Sequence, residues 1–77
     1  MTHELKCWTE FFVPLWIGAK TFEIRRNDRN FRQGDTLRLI EWDREQQRPT
    51  GLTLDRRIIY MTDFQQQPGY VVLGIAP

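Results

Sequence analysis

A single cysteine, Cys7, in a chain of 77 residues excludes an internal disulfide and a thiolate metal cluster, and points to a reducing compartment. One histidine, His3, with no H-x-H or H-E-x-x-H spacing, leaves no metal-site pattern. No long apolar run is present. The longest uncharged stretch, Phe11 to Ala19, is broken by Pro14 and is far shorter than the ~20 residues of a membrane span, so the sequence predicts a cytoplasmic protein with no membrane contact. Excess charge is missing too: 11 basic against 10 acidic residues leave +1, too little to hold a long polyanion by field alone.

What the chain has is aromatic surface, 13% of its residues, with a 40% apolar share. That suffices for one small core and excludes two, so residues 1–77 form a single domain. Alternation over residues 3 to 8 predicts a first strand, with Leu5 and Cys7 on one side and Glu4 and Lys6 on the other. Thr9 is placed to cap a short helix, Pro14 to kink or split it, and Gly18 to end it. Alternation resumes over Lys20 to Arg26, with Phe22 and Ile24 on one face and Thr21, Glu23 and Arg25 on the other. Further strands are predicted at Thr36 to Asp43, at Leu52 to Met61 after a hairpin connection spanning Glu45 to Gly51, and at Tyr70 to Ile75. The fourth is long enough to bulge at Arg56-Arg57, and the fifth, the most apolar, is expected to sit centrally. The predicted fold class is α+β: a small, mixed, mostly antiparallel five-stranded sheet curling into a pseudo-barrel, with one short helix after the first strand plugging an end.

Positive charge is concentrated where the whole chain has little. Lys20 to Arg32 holds five cations against two carboxylates, and nine of the eleven basic residues are arginine. A guanidinium grips phosphate or carboxylate as a planar fork and stacks on bases, which favours recognition of a nucleotide or RNA over a diffuse basic coat. Exposed pairing of these arginines with Asp28, Asp35 and Glu41 is the competing expectation. Glu23 and Arg25, two apart on one strand face, have the chemistry to read a base edge, or to form a rung of a cross-strand salt-bridge ladder. Trp42 and Tyr70 are candidates for base stacking, which contributes about 1–3 kcal/mol per base. Phe11, Phe12, Leu15 and Trp16 cover more than one helical face and leave an apolar patch for a protein partner or self-association through Phe11, Phe12 and Trp16.

Gly18-Ala19-Lys20-Thr21-Phe22-Glu23-Ile24-Arg25 fits G-x-K-x-x-E-x-R. On this motif, together with His3-Glu4-Leu5-Lys6, Gly34-Asp35-Thr36-Leu37, Glu41-Trp42-Asp43 and Gly69 to Ile75, the chain resembles the ASCH (activating signal cointegrator homology) domains, in particular small bacterial and phage members. The resemblance covers nearly the whole chain and implies a PUA-like fold that binds RNA or modified nucleotides in a cleft beside the motif, with no cofactor. The local charge and the matched motif together make Lys20, Arg25 and Arg29 the expected contacts to phosphate or carbonyl oxygens and Glu23 and Asn27 the readers of a base edge, with Trp42 or Tyr70 as the stacking ring. Some relatives are similar to amidohydrolases that deacetylate acetylated cytidine, using a Lys beside a Thr nucleophile three residues on, with a separate catalytic Glu. Lys20 matches that Lys, but Glu23 stands where the Thr is needed, and no feature of the sequence assigns Glu41 to the remaining role. Deacetylation or weak RNA cleavage through Lys20 and Glu23 is therefore the second expectation, and a protein-interaction module the third.

Overall fold

The computed structural model describes residues 1–77. Five strands and one helix follow the chain as β1 (Thr2–Trp8), α1 (Thr9–Trp16), β2 (Phe22–Arg26), β3 (Thr36–Asp43), β4 (Arg48–Thr62) and β5 (Tyr70–Ala76). They form one sheet of order β1-β3-β4-β5-β2, in which β1 runs parallel to β3 and the other three pairings are antiparallel. The sheet curls into a half-barrel. No helix is long and apolar enough to cross a membrane.

Period-two burial builds the core. His3, Leu5 and Cys7 of β1, Leu37, Leu39 and Glu41 of β3, and Val71, Leu73 and Ile75 of β5 all point inward and are buried, while the residues between them face out. Phe31, from the loop after β2, joins them and meets the His3 ring edge-on at 4.8 Å. The helix closes one end with Phe12 and Leu15, both about 1% exposed. Phe12 therefore belongs to the core and leaves the partner face predicted for it, and truncating it to alanine costs about 3–5 kcal/mol. Phe11, Val13, Trp16 and Ile17 remain exposed on the other side of the helix.

Several local expectations change. Thr9 is the first helical residue rather than the cap; Trp8 holds the cap position, with no side-chain hydrogen bond. Pro14 lies inside one uninterrupted helix, because it sits in the sixth of eight residues, where only one intrahelical donor is lost. Gly18, at φ 83°, takes the left-handed turn that releases the chain toward β2. The β3–β4 connection is tighter than predicted, because β4 begins at Arg48. Gly51, at φ 102°, lies within it, in the irregularity opposite Glu41, where Thr50 donates to the Glu41 carboxylate. The second irregularity of β4 falls between Ile58 and Tyr60 rather than at Arg56-Arg57. Gly74 of β5 lies against it, where an added Cβ would stand 3.5 Å from the Tyr60 carbonyl oxygen. β5 has a neighbour on both sides, but the middle of the sheet belongs to β4, whose length lets it pair with two strands along different stretches.

Candidate functional site

The half-barrel leaves two strand edges without a strand partner, those of β1 and β2. Between them, with the helix at one end, opens a hollow of about 570 Å³ lined by Lys6, Cys7 and Trp8 of β1, Phe11 of α1, Lys20, and Phe22 to Arg25 of β2. Its size suits a small ligand.

Lys20 is set in place by the end of the helix. After the turn at Gly18 its backbone N–H donates to the Pro14 carbonyl at 3.0 Å, so the helix's own proline anchors the chain on its way into β2. Its ammonium then stands 3.7 Å from Glu23 Oε1, with the rings of Phe11 and Phe22 at 5.1 and 5.4 Å. In β2 the usual alternation is turned inside out: Phe22 and Ile24 are 43% and 52% exposed, while Glu23, paired in register with Leu73, is buried. Residues from both faces of this edge strand, Phe22 and Ile24 as well as Glu23 and Arg25, line the hollow.

Glu23 has one satisfied oxygen. Arg25 Nε donates to Oε2 at 3.1 Å, whereas Oε1 is buried without a hydrogen-bond partner. An acceptor left in that state costs about 1–3 kcal/mol, which the fold tolerates here beside an open recess. Arg25 also reaches across the seam: its Nη2 donates to the Lys6 carbonyl at 2.9 Å, and Arg29 Nη1 donates to the Glu4 carbonyl at 2.9 Å. Two guanidinium groups thus cap the free carbonyls of an unpaired strand edge, a task that a strand would otherwise perform.

Cys7 forms part of the floor. Burial pushes its thiol up to about 11, and the nearby Glu23 carboxylate acts in the same direction, so it is not a thiolate nucleophile at neutral pH. No group of three or more His, Cys, Asp or Glu side chains is arranged to hold a metal ion.

Of the residues singled out from the sequence, Lys20, Glu23 and Arg25 converge on this hollow. Arg29 stands at the same seam but spends its donor on β1. Asn27 and Tyr70 lie together in a second hollow with Met61, Thr62, Asp63, Gly69 and Val71; there Asn27 Oδ1 accepts from the Phe31 N–H, and Arg26 covers the Tyr70 ring at 5.1 Å. Trp42 is on the outer face of β3, its ring covered by Lys6 at 4.2 Å, and takes no part in either hollow. Nor do the loop arginines form ion pairs with Asp28, Asp35 or Glu41. The cross-strand ladder expected of Glu23 and Arg25 exists elsewhere, as Glu4, Arg38 and Asp55 in register across β1, β3 and β4. Thr21 does not line the hollow, so no hydroxyl nucleophile stands beside Lys20 and Glu23.

Sequence reasoning missed Lys6, Cys7, Trp8, Phe11, Phe22 and Ile24 as lining residues. Phe22 carried a signal, an apolar residue alternating with charged ones at a strand edge. Ile24 shares that signal, whereas Lys6, Cys7 and Trp8 depend on the parallel β1–β3 pairing and Phe11 on where the helix docks, which no local pattern encodes.

Fold and site together define a small α+β half-barrel with a ligand-sized, cation-rimmed hollow at its open seam. The chain belongs to the family described as a domain of unknown function, DUF3850, whose model matches residues 2–75. It is also similar to an uncharacterized 12.9 kDa protein in the GpA 3′ region of Escherichia phage P2, with 41% identity over 61 residues. Those residues are 79% of this chain and 54% of the phage protein, so the chain spans about half the length of that relative.

Proposed function

We propose that the chain is an ASCH-type module with a PUA-like fold that acts in the cytoplasm, without a cofactor, and recognises RNA or a nucleotide in the hollow between β1 and β2. The observation that carries this reading is Glu23 Oε1, a buried acceptor without a partner at the wall of a hollow flanked by two cations. A base edge supplies the N–H donor that this oxygen lacks, and a phosphate or carbonyl suits Lys20 and Arg25. Trp8 and the two phenylalanines supply apolar walls for a flat ring. Deacetylation through Lys20 and Glu23 has less support, because Thr21 stays outside the hollow and the Cys7 thiol is protonated at neutral pH. The exposed Val13, Trp16 and Ile17 favour the reading as a protein-contact module, which Trp16→Ser tests without entering the core.

Titration of the protein with single-stranded RNA and with the common nucleotides, monitored by intrinsic tryptophan fluorescence at low salt, tests the proposal. Saturable binding that Glu23→Gln weakens at least about tenfold is expected, since an amide presents one acceptor and one mismatched donor pair. Unchanged signals for every nucleotide and RNA tested overturn it.

A further inference from the structure

Inside the hollow, the Lys20 ammonium occupies a specific kind of place. Two aromatic rings, Phe11 at 5.1 Å and Phe22 at 5.4 Å, lie within cation–π reach, and a buried carboxylate oxygen stands 3.7 Å away. That last distance is too long for a hydrogen bond, which is why Glu23 Oε1 remains without one. The ammonium is held by charge and by ring faces, on a side chain about one-fifth exposed with four rotatable bonds. A compact cation on a flexible stem fills such a cage incompletely. A flat, delocalised cation that also carries N–H donors fits the cage better, because it stacks on the rings and supplies the missing hydrogen bond to Glu23 at once.

Resting on the nucleotide reading above, we infer that this hollow selects a positively charged, ring-methylated purine nucleotide, with the Lys20 ammonium as the resident stand-in for the ligand's charge. Methylation at N7 of guanine places a delocalised positive charge on the ring while its edge keeps adjacent N–H donors. Binding exchanges one cation for another inside the cage, so the charge beside Glu23 is conserved. The displaced Lys20 ammonium then joins the Arg25 guanidinium, which also lines the hollow, at the nucleotide's phosphate. An unmethylated guanine nucleotide offers the same edge and phosphate, but ejecting Lys20 in its favour leaves Glu23 Oε1 and both rings without a cation, with Arg25 still on Oε2.

Calorimetric titration with 7-methylguanosine 5′-monophosphate and with guanosine 5′-monophosphate, in mildly acidic buffer that keeps N1 protonated, tests this. The methylated nucleotide is expected to bind at least about tenfold tighter, with that preference removed by Phe22→Leu, a change at a half-exposed position. For the phosphate-free nucleoside 7-methylguanosine, Lys20→Ala is expected to tighten binding several-fold by vacating the cage, the opposite of what loss of a simple anion anchor produces. Equal affinity for the methylated and parent nucleotides overturns the cation inference and leaves nucleotide recognition standing. Absence of binding by both nucleotides and by single-stranded RNA overturns the two together.

Discussion

Glu4, Arg38 and Asp55 stand side by side across three strands on the outer face, and Lys20, Glu23 and Arg25 stand together beside the hollow. The two clusters use the same chemistry in opposite surroundings. In the ladder every partner is roughly half exposed, and Arg38 donates to both oxygens of Asp55, at 3.0 and 3.2 Å. In the hollow the carboxylate is about 5% exposed and only one of its oxygens is hydrogen-bonded. Water supports the first arrangement, so removing a member changes little. Nothing supports the second except its own cations, so its geometry answers to whatever enters the recess.

The most severe challenge to that contrast is Arg25→Ala. It strands a buried carboxylate beside Lys20 alone and releases the Lys6 carbonyl, and it is expected to lower stability by about 3 kcal/mol, read from the urea midpoint at constant slope. A change no larger than that from Arg38→Ala would show that the buried cluster is no more demanding than the exposed one. Arg29→Ala comes next. It removes a single clasp on the Glu4 carbonyl, which water can replace at that exposed site, and is expected to cost about 1 kcal/mol in the same measurement.

Acid titration brings in a third position. The Asp35 carboxyl is held below the usual carboxylate range, first by the His3 hydrogen bond at 2.8 Å, then by the N-terminal ammonium and the Arg32 N–H. A carboxyl lowered in the folded state contributes stability above its ordinary value and loses it as pH falls through the lowered one. Circular dichroism across the acid limb is expected to show that loss in the native chain and a flatter limb in Asp35→Asn. Asp55 is lowered as well, by its hydrogen bonds to Arg38, so Asp55→Asn flattens the same limb. Its contribution fades in molar salt, because both partners are open to solvent, whereas that of Asp35, 13% exposed, persists. Smallest of all is Arg38→Ala, a slight shift of the urea midpoint that disappears at high salt.

Much of the fold was legible in the sequence because strand periodicity is local. Leu5 and Cys7, Leu37 and Leu39, and Val71, Leu73 and Ile75 alternate in the chain as they do in the core. The helix and its glycine stop were legible for the same reason. The motif around Lys20, Glu23 and Arg25 was legible as chemistry, because opposite charges at strand spacing in an otherwise balanced chain stand out. What was not legible depends on long-range arrangement. Trp42 and Tyr70 looked alike as candidates for base stacking, yet the curl of the sheet sends one to the outer face and the other to a separate hollow, and each has a cation from its own chain over it. Arg29 looked like a ligand contact because its target, the edge carbonyl of Glu4, becomes free only when β1 pairs with β3 and with nothing else.

That parallel pairing has a temporal consequence. β3, β4 and β5 are joined by antiparallel contacts between neighbours in sequence and can zip from their turns, whereas Thr2 to Trp8 must wait for a stretch more than thirty residues downstream before it has anything to lie against. The first strand of the fold is thus among the last to settle. Because it forms one bank of the recess, amides of β1 should exchange with solvent sooner than those of β4, and each such fraying event briefly erases the binding place while the rest of the molecule stands.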